Sequence, residues 1–316
     1  MIRIGAVAAG LGALAIAAAA RPAITEYSAP GGAPYDIAVD GAGRVYFTEM
    51  EAGKIGRFDP KSQRFAEFTV PAKSSGPRGI VIDADGTVVF TEIKAGKIGC
   101  LDPARSVFHE YPTGNALAPD TPVLAGDGAV YFTAQGSDAI GRLDRASGTV
   151  AIFATPTPNS VPSGIKLGPD HALYFTEPGP GRIGRFDLQS HLIREFATPT
   201  AYSAPRRLWI WNDYAYFTEF GAGRLGRFNI RDHTFREWPS PGGPVSRPDA
   251  IAIDRAGRVW YNETARGTIV QFDPARERFT AAAIPLYGTV AGGMDLAPDG
   301  SILMALGSGR LAAMSP

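Results

Sequence analysis

Cysteine is nearly absent from this chain, with Cys100 the one thiol in 316 residues. That excludes a disulfide framework and any Cys-based zinc site. Net charge is absent too, since 31 basic side chains face 31 acidic ones. A nucleic-acid binder needs a basic excess to displace counterions from phosphates, so that class is set aside. Histidine is sparse, at four residues, and long apolar runs are confined to the N-terminal end. What the chain does have is turn formers. Its 38 Gly and 26 Pro are spread evenly, beside an apolar fraction of 45% that is ample for a core. This composition reads as many short strands joined by tight turns, and not as disorder.

Arg3 opens a short basic start, and Ile4–Ala20 is unbroken apolar or Gly sequence ending in Ala18-Ala19-Ala20. Residues 1–20 are expected to be a signal peptide, cleaved before Arg21, on an exported protein that is periplasmic or secreted. An uncleaved anchor is the alternative, though the run is short and Ala/Gly-rich for a spanning helix. The lone Cys suits an exported chain.

A repeat organises the rest. Val45-Tyr46-Phe47-Thr48-Glu49 recurs in whole or in part, ending at 92, 134, 177, 219, 263 and 306, in steps of 42 to 44 residues. Each unit holds four strand signals: in the first, Pro34–Val39, Arg44–Glu49, Lys54–Phe58 and Arg64–Val70. Asp40-Gly41-Ala42-Gly43, Ala52-Gly53 and Asp59-Pro60 punctuate them. Seven such units predict an all-β, seven-bladed β-propeller of four-stranded antiparallel blades, one domain over 21–316. Fourth strands carry Glu-aromatic, as in Glu67-Phe68, Glu110-Tyr111, Glu195-Phe196 and Glu237-Trp238. Glu26-Tyr27 carries it with no strands before it, and the last unit stops one strand short. The N-terminal strand is therefore expected to complete the last blade and close the ring, hiding the sheet edges.

In this register, residues before each first strand and after each second strand gather at one mouth of the axial channel. The first set is Tyr35, Arg78, Asp120, Ser163, Arg206, Asp249 and Gly292; the second is Glu49, Glu92, Ala134, Glu177, Glu219, Glu263 and Leu306. The recurring Glu has two readings, as an acceptor of backbone N–H groups from the neighbouring blade or as a holder of ligand or cation. The varied first set supplies better ligand candidates: Tyr35, Arg78, Asp120, Arg206 and Asp249, with Glu263 added from the second. Arg206-Arg207 is followed by Trp209-Ile210-Trp211, aromatics that either pack between blades or floor a pocket. His109 falls in a fourth strand, and His171, His191 and His233 fall in turns away from the mouth, where solvent is their expected surrounding.

The Tyr-Phe-Thr-Glu repeat followed by Gly-Lys-Ile-Gly-Arg-Phe-Asp resembles the streptogramin B (virginiamycin B) lyase family over residues 24–316. The resemblance implies a carbon–oxygen lyase that opens a cyclic depsipeptide by elimination across its ester, with magnesium as cofactor. A base removes the proton beside the carbonyl and a hard cation steadies the enolate. Of the residues it implies, Tyr35 agrees with the first-blade Tyr. Asp249 stands at the sixth-blade His. Val290 and Gly292 stand at a Glu and the seventh-blade His, and Leu306 stands at the seventh-blade Glu. The catalytic set is thus not retained.

The reading is an exported propeller that binds a small molecule, peptide or glycan at the axial mouth without lyase chemistry. The alternative is a divalent-cation-dependent lyase or lactone- or ester-opening enzyme with a relocated acidic site, using Asp120, Asp249 and Glu263 or, for metal, Glu219, Asp249 and Glu263. A protein-docking propeller is a third possibility. A monomer with no nucleic-acid partner and no span in the mature chain is expected.

Overall fold

The computed structural model describes residues 23–283 and 290–315. The expected signal segment lies outside the described residues. Strand β1 (Ile24–Ser28) is followed by blade one: β2 (Ile37–Val39), β3 (Val45–Glu49), β4 (Lys54–Asp59) and β5 (Arg64–Thr69). Blades two to six are β6–β9 (77–112), β10–β13 (119–154), β14–β17 (165–197), β18–β21 (205–239) and β22–β25 (248–283). Blade seven is β26 (Val290–Leu296), β27 (Ile302–Leu306), β28 (Arg310–Met314) and, as its outer strand, β1. The ring closes as the sequence predicts, with Ile24–Ser28 running antiparallel along Met314–Arg310. No helix among the described residues is long and apolar enough to cross a membrane.

The core lies between blades. Seven apolar clusters each join one blade to the next around the ring, including Phe47 and Phe58 with Leu303 and Leu311 across the closure. Within a blade, the tip of the repeat's Phe ring occupies the space beside the Gly of the third strand. A Cβ at Gly56 would sit 2.1 Å from Phe47 Cζ, and Gly99, Gly141, Gly184 and Gly226 repeat that contact. This explains the Gly of Ile-Gly-Arg. The Asp-x-x-Gly turns have an equally local cause. Asp40 Oδ1 accepts the N–H groups of Ala42 and Arg44, and Gly43 supplies the φ of +84° that a side chain resists.

The Thr of the repeat is the inter-blade fastener. Thr48, Thr91, Thr133, Thr176 and Thr218 donate through Oγ1, at 2.6 to 2.7 Å, to the carbonyls of Arg78, Asp120, Ser163, Arg206 and Asp249 in the next blade. Those acceptors are the mouth residues themselves, so the repeat fixes the backbone that carries the site. Thr91 also accepts from Gly79 N at 2.9 Å. Thr91→Val leaves a buried carbonyl and a buried N–H unpaired, an expected loss of about 2 kcal/mol, which denaturant unfolding measures.

Candidate functional site

Each inner strand of the bulged blades turns two successive residues toward the axis, because its pairing with the second strand slips there, for example between Pro119 and Pro122. The mouth residues form the upper tier, and the residues one step further on form the tier beneath.

Asp120 is the hub of the upper tier. It is fully buried, and one oxygen meets Arg78 Nε. The other accepts from Ser163 Oγ at 2.9 Å and Gln135 Nε2 at 2.8 Å, with Arg207 Nη1 at 3.8 Å. Burial works against this charge, but Arg207 and Arg78 outweigh it and hold the carboxyl below its ordinary range. Arg78 also lies over the Tyr35 ring, 4.9 Å from its centre. Across the mouth, Arg206 Nη1 is 3.4 Å from Asp249 Oδ2. Arg206 and Arg247 both lie over Phe220, at 4.7 and 5.6 Å. Burial raises the Asp249 pKa against the pull of Arg206 and Arg207.

The lower tier centres on Arg207, whose Nη1 donates to Thr121 Oγ1 at 2.6 Å. Burial disfavours its charge, yet Asp120 first, then Tyr35, Asp36 and Asp249, raise its pKa further. A cavity of about 50 Å³ beneath the mouth is lined by Asp36, Thr121, Lys166, Arg207, Trp209 and Gly293, among others. Lys166 sits 4.7 Å above the Trp209 ring. Desolvation in this narrow channel raises the pKa of Asp36 and of Asp295 deeper in it. Trp209 thus does both things the sequence allowed, since it also packs against the clusters of blades five to seven.

Tyr35, Arg78, Asp120, Arg206 and Asp249 are therefore brought together, and Glu263 is not. Glu263 is buried under the connector from blade five, where its Oε1 accepts from Gly242 N at 2.6 Å and from Ser240 Oγ. Glu219 is also fully buried and sits beside Glu237, so Glu219, Asp249 and Glu263 form no common metal group. The described residues hold no group of three or more His, Cys, Asp or Glu placed to hold a metal ion. The backbone-acceptor reading of the recurring Glu holds at Glu263 alone. In Glu49, Glu92, Glu177 and Glu219 neither oxygen has a partner. His191 and His233 are exposed as expected, but each also stacks on a Phe, at 15° to Phe186 and 12° to Phe228.

Arg207, Lys166, Asp36, Phe220 and Arg247 complete the site beyond the residues that sequence reasoning chose. A signal for the lower tier was present: one residue past each mouth position stand Asp36, Gly79, Thr121, Gly164, Arg207, Ala250 and Gly293. The small residues among them make room for the two charges.

The blade-seven positions that the resemblance connects to catalysis belong to packing. Val290 pairs across the sheet with Leu306, and both are buried in the cluster between blades six and seven. A Cβ on Gly292 would lie 3.0 Å from Tyr35 Cε1 and Cζ, so the Tyr ring fills the space in front of it. Only Asp249 among Asp249, Val290, Gly292 and Leu306 offers an oxygen donor, and Arg206 faces it. This donor set does not fit a magnesium ion.

Fold and mouth together define a seven-bladed propeller with an arginine-lined axial site. The profile of the virginiamycin B lyase family matches residues 22–314, and the chain belongs to that family. The crystal structure of virginiamycin B lyase from Staphylococcus aureus is 26% identical with a TM-score of 0.86, covering 94% of this chain and 100% of that one. A catalytically inactive variant of the S. aureus enzyme with quinupristin is 27% identical with a TM-score of 0.87, again over 94% and 100%. A streptogramin B lyase structure is 28% identical, with a TM-score of 0.85 and coverage of 93% and 97%. No curated protein sequence matches the chain.

Proposed function

We propose that this chain is an exported binding propeller of the virginiamycin B lyase family, taking a small molecule or peptide with an anionic group at the axial mouth. The observation that carries this reading is the imbalance of reachable charge there. Arg206 is 31% and Arg78 16% exposed, while Asp120 and Asp249 are buried beneath them. Arg247 is exposed beside them on a left-handed backbone, φ +53°. An incoming anion meets guanidiniums before it meets carboxylates. The connectors around the same mouth present Tyr202 and Val245, 94% and 75% exposed, with Leu117 and Val161. An apolar body on the ligand suits them better than a fully polar glycan does.

The lyase chemistry of the relatives is not proposed, because Val290, Gly292 and Leu306 carry neither a base nor an oxygen donor and the remaining Asp249 is paired with Arg206. No observation favours a relocated acidic site, since Asp120 and Asp249 are committed to guanidiniums and Glu263 to its connector.

Calorimetry with a panel of N-acylated amino acids and short acidic peptides tests binding. Arg206→Ala with Arg247→Ala is expected to weaken any binder by at least about tenfold, the worth of one charge-assisted hydrogen bond. Equal affinity in that variant counts against the mouth. Incubation with a streptogramin B and magnesium is expected to leave its chromatographic position unchanged, and conversion would restore the lyase reading.

A further inference from the structure

In blades one, two, four and five, the Glu that ends the second strand stands beside a Glu on the fourth strand. The pairs are Glu49 with Glu67, Glu92 with Glu110, Glu177 with Glu195, and Glu219 with Glu237. All four inner carboxyls are fully buried, and all eight of their oxygens lack a hydrogen-bond donor. The outer carboxyls have donors. Glu67 takes Lys54 Nζ at 2.7 Å, and Glu110 takes Ala72 N at 3.0 Å and Lys97 Nζ at 3.1 Å. Glu195 takes Thr157 N at 2.9 Å, and Glu237 takes Thr200 N at 3.2 Å. Those N–H groups belong to the connectors that lead onto the mouth.

The remaining blades act as internal controls. Blade six has Glu263 but Ala281 at the outer position, and there the inner Glu takes the connector N–H of Gly242 itself. Blade seven has the outer Glu26 opposite a chain with Leu306, and Glu26 is met by Arg310 at 2.9 Å. Blade three has Ala134 and Ile152 and no carboxyl at either place. An inner Glu is without donors only where an outer Glu stands next to it. Two carboxylates cannot hydrogen-bond, but a carboxylic acid donates its O–H to a carboxylate.

We propose that each of these four pairs holds one proton between its two carboxyls, giving the ring four proton sites, three of which fasten a mouth connector and loosen it as the pH rises. Losing the proton leaves a fully buried carboxylate beside a partly buried one. The other charged groups facing each pair are Lys54 in blade one, Lys97 in blade two, Arg182 with Asp138 of the preceding blade in blade four, and Arg224 in blade five. One cation offsets one carboxylate and leaves the second uncompensated.

Burial first, and the neighbouring Glu second, raise the inner groups to about 7 at Glu49, about 8 at Glu177 and about 9 at Glu219, with Glu92 moved the same way. The native chain therefore keeps protons that the unfolded chain has released. Their stabilisation is whole below the ordinary Glu value of 4.5 and is lost as the pH climbs through the range to about 9.

The test is thermal melting of the full chain from about pH 6 to about pH 9, compared with a variant carrying Glu92→Gln, Glu177→Gln and Glu219→Gln. A neutral Gln still donates to the outer Glu. The wild type is expected to lose roughly 10 °C over that span and the variant less than half as much. Parallel curves overturn the proposal, and so does a variant that is already destabilised at the acid end. Melting that rises with calcium and falls with chelator at every pH also overturns it, by placing a cation between the carboxyls. Infrared spectra of the wild type supply a readout independent of any variant. A protonated-carboxyl C=O band near neutral pH that fades in alkali is expected, and its absence defeats the idea.

Discussion

A chain lacking residues 23–30 is expected to lose its cooperative thermal transition, or to melt roughly 15 °C lower. Those residues are the whole outer strand of blade seven. Their removal strips Ile24–Ser28 from Arg310–Met314 and leaves β28 as an open edge. It also removes Tyr27, whose ring lies 4.5 Å from that of Phe58 in blade one, and Glu26, the partner of Arg310. The loss therefore falls on two blades at once, across the one junction that covalent order does not supply. Circular dichroism against temperature measures it, and an unchanged melting curve refutes closure by this strand.

Asp120→Ala is expected to cost about 3–5 kcal/mol, roughly 10 °C in melting temperature. The magnitude comes from what is left behind and not from the pairs themselves. Arg207 is buried, and Asp120 is the chief reason that it can be charged there. Without it, Arg207 and Arg78 share a low-dielectric channel in which Asp36 and Asp249 are the carboxyls left to offset Arg207. Asp120→Asn is expected to cost less, since the amide oxygen still accepts from Ser163. The sign against pH is opposite to that of the Glu pairs. The Asp120 carboxyl is held below its ordinary range, so its stabilisation is present above about pH 4 and is lost as the pH falls further. Denaturant melts of the wild type and Asp120→Ala at several pH values check both magnitude and sign. The two curves are expected to converge in acid.

The architecture was legible because it is written in a repeat whose spacing and turn residues are local. Tyr-Phe-Thr-Glu, Ile-Gly-Arg and Asp-x-x-Gly each answer to a contact within one blade or to its next neighbour, such as Phe47 on Gly56 or Thr48 on the Arg78 carbonyl. The upper tier of the mouth followed from register alone. The lower tier did not, because a bulge turns Thr121 as well as Asp120 to the axis, and a slip of pairing leaves no mark in composition. Glu263 illustrates the other limit. Its position matches Glu49 and Glu219, yet it faces its connector because Ala281 replaces the Glu that does so elsewhere. The role of a repeated residue thus depends on a partner more than a dozen positions away.

β1 climbs from the face opposite the mouth, with Ile24 beside Met314 at the far end and Ser28 beside Arg310 near the connectors. Both ends of the described chain therefore leave on the side turned away from Arg78 and Arg206. There Ser315 N donates to the Ala23 carbonyl at 3.2 Å, so the two ends lie side by side at the far face from the arginines. Fusions and surface attachments made at either end inherit the same orientation.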